Sequence, residues 1–204
     1  MNTTASTTAA ASGRRGRGGR ERVLAAAARL FAIQGIGATG MEQVAEAAPV
    51  SKRTLYAHFR TKNDLVIAHL QDLVRSGATL EAVLTRADVA PRERIRRLFD
   101  QPAADATLVR GCPFIDAAAE FPDPESAVHS YAREQKLRMV QLIATVVTEM
   151  GCREPLSLAE QLATLADGAA SRAMVLNEAD YGRHAWAAAE VLLDRALTGG
   201  REQS

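Results

Sequence analysis

Near the N-terminal end of the chain a proline separates two short stretches of helical periodicity, and that interruption restricts the fold more than any other feature. Met41, Val44, Ala45 and Ala48 recur at the spacing of one helical face. Pro49 stops the run, because it disfavours helical geometry at Ala48 and cannot continue the helix itself. Ser51 then stands as an N-cap, its hydroxyl able to accept from backbone N–H groups of the next turn. From Ser51 to Phe59 only Leu55 and Phe59, four apart, share an apolar face, while Lys52, Arg53, Thr54, Tyr56 and His58 lie off it. Two short helices in tandem are steadied by a longer helix on each side. Val23, Leu24, Ala27, Leu30 and Phe31 mark the first, ended by Gly35 and Gly37. Thr61 caps the other, whose positions Leu65, Val66, His69, Leu73, Gly77, Leu80 and Leu84 predict one helix of several turns. The pattern is a helix-turn-helix whose core is Leu30, Phe31, Val44, Leu55 and Phe59, with the outer face of its third helix left free for a groove.

The remainder is helical in pattern too. Pro91 suits the first position of a helix carrying Ile95, Leu98 and Phe99, and a loop with Pro102 follows. A short helix fits between Pro113 and Phe121, bounded by Pro122 and Pro124. Val128 to Met150, Leu158 to Leu176 and Trp186 to Ala196 then carry longer amphipathic periods. Aromatic residues make up only 4% of the chain and alanine is abundant, which favours closely packed helices over a sheet. The expected fold class is all-α: a three-helix N-terminal head over residues 20–66 on a larger helical body over 67–204.

Charge is divided unevenly. Residues 1–75 hold 11 Lys and Arg against 5 Asp and Glu, a balance of +6, whereas residues 76–204 hold 14 against 19, a balance of −5. A basic end on an acidic body suits a DNA-facing head, since phosphate contacts require local positive charge. Residues 1–19 are rich in Gly, Ser and small polar residues and are expected to be a disordered basic arm. Arg14, Arg15, Arg17, Arg20 and Arg22 either solubilise it or follow a DNA backbone or minor groove. The order of its small and basic residues is wrong for a signal peptide, and an amphipathic transit peptide lacks its apolar face. No apolar run is long enough to cross a bilayer. Cys112 and Cys152, without a secretory signal, read as reduced thiols of a cytoplasmic protein. Their spacing to His129 or His184 matches no metal-ligand pattern, so neither a metal nor a cofactor is expected, although Cys112 beside a helix start could act as a redox sensor.

With these residues in view, GATGMEQVAEAAPVSKRTLYAHFRTKNDL resembles the DNA-binding head of the TetR (tetracycline-repressor-like) family. The family pattern is met at Ala28, Leu30, Phe31, Gly35, Thr39, Val44, Ala45, Val50, Ser51, Lys52, Leu55, Tyr56, His58, Phe59, Lys62 and Leu65, over residues 20–70. There are two departures. Pro49 stands where such heads carry Gly and cannot adopt a positive φ, so the turn is expected to take another route. Gly40 replaces the usual Ser or Thr cap of the second helix.

The resemblance and the residue types together place double-stranded DNA against Ser51, Lys52, Arg53, Thr54, Tyr56 and His58, where Lys and Arg reach guanine edges or phosphates and Tyr donates to phosphate or packs on a thymine methyl. Thr39, Gly40, Met41, Thr61 and Lys62, at two helix starts, are candidates for phosphate contacts through backbone N–H groups. Bodies of the family resemble apolar cups, which implies a small apolar or amphipathic effector against some of Phe99, Cys112, Phe114, Ala118, Phe121, Tyr131, Met139 and Met174. The Ala- and Leu-rich faces over residues 155–198 suit a homodimer paired as a four-helix bundle. The function expected is a ligand-responsive transcriptional repressor on a palindromic operator. An architectural DNA binder without effector and an enzyme are the rivals, but Asp116, Glu120 and Asp123 are spaced as solvated helix faces rather than as a catalytic set.

Overall fold

The computed structural model describes residues 9–100, 111–178 and 180–198, with side chains from residue 18 onward. Every regular element among the described residues is helical. The chain divides into two compact units, Met1–Gln71 and Asp72–Ser204. The loop around Pro102, residues 1–8, and the side chains of Arg14, Arg15 and Arg17 lie outside the described residues.

The first unit contains α1 (Ala9–Gln34), α2 (Met41–Ala47), α3 (Lys52–His58) and most of α4 (Lys62–Arg75). The backbone is helical from Ala9, where the sequence predicts a disordered arm. A helix already nucleated further along the chain extends at the cost of ordering one residue per hydrogen bond, which lets it run through a stretch that would not start one. Val23, Ala27, Phe31, Val44, Leu55, Phe59, Leu65 and Val66 form the buried core. Leu30 is only half-buried. Phe31 meets His69 of α4 edge to face, with ring centroids 5.3 Å apart.

The turn between α2 and α3 corrects the expectation for Pro49. Its φ is 24°, at the edge of the left-handed region, so the chain keeps the route that a glycine would take. The Val50 N–H donates to the Ala45 carbonyl at 3.1 Å, closing the wide loop of a Schellman cap, while the companion bond is missing because proline has no N–H. Ser51 caps α3 as the sequence predicts, accepting from the Thr54 N–H at 3.1 Å.

A second correction concerns α4, which ends at Arg75 rather than running to Leu84. Gly77 has φ +73°, its N–H donates to Val74, and the Ala78 N–H donates to Leu73, which together make a complete Schellman ending. Leu80 and Leu84 belong to a separate helix, α5 (Leu80–Leu84).

The second unit continues with α6 (Pro91–Arg96), a single 3-10 turn (Arg97–Phe99), α7 (Pro113–Glu120), α8 (Ala127–Glu149), α9 (Pro155–Leu176) and α10 (Tyr181–Thr198). Proline opens α6, α7 and α9, where a missing N–H costs nothing. Gly151 and Asn177, both at positive φ, close α8 and α9. α9 packs against both α8 and α10, and the core between them holds Ile143, Val147, Leu158, Leu162 and Leu193. Arg94 is buried beside them, donating to the Leu84 carbonyl at 3.1 Å and paired with Glu149, so its charge is compensated where it is desolvated.

Candidate functional site

Leu55 and Phe59 turn one side of α3 into the core, and the rotation of the helix about that anchor decides what the solvent meets. Ser51, Lys52, Arg53 and Tyr56 are exposed, and Arg60 just beyond α3 joins them. Tyr56 keeps 46% of its surface in solvent, so its ring and hydroxyl are available to a partner. Lys52 pairs with Glu42 of α2, and the hydrogen bond and charge of that carboxylate hold its ammonium pKa above the ordinary lysine value. Sequence reading left out both Glu42 and Arg60; the acid sits ten residues before its partner, so no local spacing signals the pair.

Thr54 and His58, expected on the outer face, are turned toward α1. A Cβ placed on Gly19 would stand 3.2 Å from His58 Nε2 and 3.4 Å from Thr54 Cγ2, so α1 passes closely along that flank. Arg20 lies over the Phe59 ring, its guanidinium carbon 5.4 Å from the centroid, and covers the end of the same helix. Both residues are half-buried in consequence. They support α3 rather than share the face of Lys52, Arg53 and Tyr56.

At the two helix starts the N–H groups of Gly40 and Thr61 are taken up within the head, while Gly40 offers the first turn of α2 no side-chain cap. Thr39 is buried, with its hydroxyl donating to the Gly35 carbonyl at 2.7 Å and its N–H to Ile36 at 3.1 Å. The Gly40 N–H donates to Gln43 Oε1 at 2.7 Å, and Met41 is half-buried. Thr61 and Asp64 form a reciprocal capping box at 3.0 and 3.1 Å. Lys62 reaches across to the Gly37 carbonyl at 2.9 Å, tying α4 to the loop before α2.

The second unit contains a cavity of about 530 Å³. Its wall runs from Val74 through the break at Gly77–Thr79 and along Leu80 to Val83, then Leu98, the segment Gly111–Phe114, and Lys136, Met139, Ala166 and Ala170 of α8 and α9. Of the residues expected to line it, Cys112, Phe114 and Met139 do so. Phe99 does not: it is buried in the core with its ring 5.8 Å from that of Trp186. Ala118, Phe121 and Tyr131 lie off the wall; α7 turns Phe114 and Ala117 inward, and Ala118 beside them falls on another face. Burial raises the Tyr131 phenol pKa, helped by Glu134 and Glu81. Met174 stands behind Gly111, where an added Cβ would meet its sulfur at 3.0 Å. Polar groups that sequence reading missed reach the wall at Glu81, Arg97, Asp100 and Asp167. Among the described residues no group of three or more His, Cys, Asp and Glu side chains is placed to hold a metal ion, and His129 Nδ1 is hydrogen-bonded with the Phe121 carbonyl at 2.8 Å.

Residues 23–69, which run from within α1 through α2 and α3 into α4, match the model of bacterial regulatory proteins of the tetR family. A protein of Streptomyces avermitilis assigned to the TetR transcriptional regulators superposes with a TM-score of 0.75 at 30% identity, covering 87% of this chain and 97% of that one. The chain belongs to the TetR family. The regulator YjdC of Escherichia coli K12 is 27% identical over 161 residues, 76% of this chain and 83% of its own length. The activator FasR of Mycolicibacterium smegmatis is 40% identical over 80 residues, 38% of this chain and 35% of its own. As a TetR-family protein the chain is a DNA-binding transcriptional regulator with a helix-turn-helix head, and not an enzyme. No helix of the described residues is long and apolar enough to cross a membrane.

Proposed function

We propose that this TetR-family regulator is a cytoplasmic, homodimeric repressor released from a palindromic operator by a small, mainly apolar molecule. The cavity of the second unit carries this reading. At about 530 Å³ it falls in the size range of small-molecule sites, and its lining is mostly apolar with a few polar groups. Lys52, Arg53 and Tyr56, with Ser51 and Arg60 at the margins, are the side chains offered to the major groove and its phosphates.

Release works through spacing. Two recognition helices must meet major grooves ~34 Å apart or a multiple of it. α4 carries Leu65 and Val66 in the core of the head and Val74 on the cavity wall, so a ligand pressing on Val74 and the Gly77–Thr79 break acts on an element the head cannot ignore. A shift from 1:99 to 99:1 requires the ligand to favour the released state by ~5.5 kcal/mol.

The operator is obtained by selecting from random-sequence duplexes, and the selected site is expected to be a palindrome bound by two protomers. Arg53→Ala and Tyr56→Ala each weaken binding to it with unchanged helicity and melting. Placing the site before a reporter should silence it, and Ala170→Phe, which fills the cavity, should either block release or mimic it. A reporter that rises when the protein is present would make it an activator instead, and an Ala170→Phe variant indistinguishable from wild type would remove the cavity from the mechanism.

A further inference from the structure

We infer that the cavity takes an uncharged molecule whose single hydroxyl or carbonyl group sits on the Lys136–Asp167 pair. The inference rests on reading that cavity as the effector site. Charged side chains reach its wall at Glu81, Arg97, Asp100, Lys136 and Asp167, and each has a counter-ion within the protein. Glu81 takes Arg138 at 2.7 Å, Arg97 takes Glu93 at 3.1 Å and Asp100 takes Arg96 at 3.1 Å, while Lys136 and Asp167 take each other across α8 and α9. Among the described residues the wall therefore offers no spare charge.

The Lys136–Asp167 pair is the most enclosed of these, with side chains only 25% and 30% exposed. A ligand bearing a net charge would have to draw one partner away and strand the other where water is scarce, which costs more than breaking an exposed pair. A neutral polar group avoids that cost. The bond to Asp167 Oδ1 engages one of the three ammonium donors and one of the carboxylate oxygens, so an incoming hydroxyl can accept from Lys136 and donate to Asp167 with the pair intact. A carbonyl can accept from Lys136 alone. The rest of the molecule then lies against Leu80, Leu98, Phe114 and Met139.

One alkyl chain with three head groups tests this by calorimetry: 1-octanol, octanoate and octylammonium. The wild-type protein is expected to bind 1-octanol at least ~10-fold more tightly than either ion. Asp167→Asn leaves Lys136 without its counter-ion, and octanoate should overtake 1-octanol; Lys136→Met leaves Asp167, and octylammonium should overtake. The wild-type ranking decides the matter even where a variant fails to fold. An ion that binds the wild type as well as 1-octanol does, binding by none of the three, or an unchanged ranking in folded variants would each overturn the inference. If 1-octanol binds as expected but leaves the affinity for the selected operator unmoved, the chemistry of the site stands and the effector reading fails. If an ion binds best and releases DNA, the effector reading stands and the neutral ligand falls.

Discussion

Pro49 holds a backbone conformation that its ring opposes. Proline prefers φ near −65°, yet here φ is 24°, and the Val50 N–H that follows donates to Ala45 at 3.1 Å. Glycine adopts a positive φ freely, so Pro49→Gly should raise the stability of the protein despite the added chain entropy of glycine. Urea unfolding of the two proteins checks it, and a lower midpoint for the variant would remove strain from the account. Asp88 offers a residue-scale test of a different sort. The Arg86 guanidinium, donating to Oδ1 at 2.9 Å, holds its carboxyl down to about 2. A carboxyl depressed in the folded state contributes stability above its ordinary pKa and loses that contribution as pH falls through the folded value. In Arg86→Ala the Asp88 titration, followed by carbon-13 NMR, should therefore move back up, and the variant should lose less stability than wild type between pH 4 and pH 2. An unmoved titration would mean that Arg86 is not its partner in solution.

Helix ends depend on single residues, and Gly77 shows how one can hide. Its place in an apolar series made it look like a small core position of a long helix, whereas its work is to take a positive φ after Ser76. The periodicity continues past it because α5 returns Leu84 to the buried core of the second unit, so the pattern alone could not reveal the break. A Cβ at Gly77 would meet only Ala82 at an ordinary 3.7 Å, which leaves the backbone as the whole cost. Gly77→Ala should lose ~1–2 kcal/mol by thermal melting, the opposite sign to Pro49→Gly for the same physical reason. A neutral result would mean that the cap is not maintained.

At the scale of the whole molecule, the proposed homodimer turns on which faces of α9 and α10 remain uncovered. Ala169 is buried within the protomer at 4% exposure, so Ala169→Arg would disturb the protomer's own packing and could not report on assembly alone. Val175 and Val191, 75% and 67% exposed, are the most exposed large apolar side chains of these two helices, ahead of Leu156 and Leu176, and are the first candidates for a covered face. Val175→Glu combined with Val191→Glu is expected to give monomers by light scattering with helicity retained, and with operator affinity reduced because one head replaces two. A double variant still dimeric would move the interface off these helices.

The sequence by itself determined the all-helical class, the tandem pair in the head and the buried anchors Leu55 and Phe59, because helical period, proline stops and caps act over a few residues, but not where α1 begins or that α4 ends at Arg75. It could not decide which flank of α3 would be covered. That depends on Gly19, far off in the chain, letting α1 approach Thr54 and His58. Thr39 looked like a helix-start contact and became a buried post for the Gly35 carbonyl, a role set by how the loop folds back. The cavity shows the same limit: Phe99 and Met139 are alike as sequence, yet one packs on Trp186 in the core and the other faces the open space. Periodicity assigns a residue to a face of its own helix, but only the docking of α5, α7, α8 and α9 against one another decides whether that face meets a neighbour, a cavity or water. The pairing of Lys136 with Asp167 is of this kind, since each belongs to a different helix and neither signals the other in the chain.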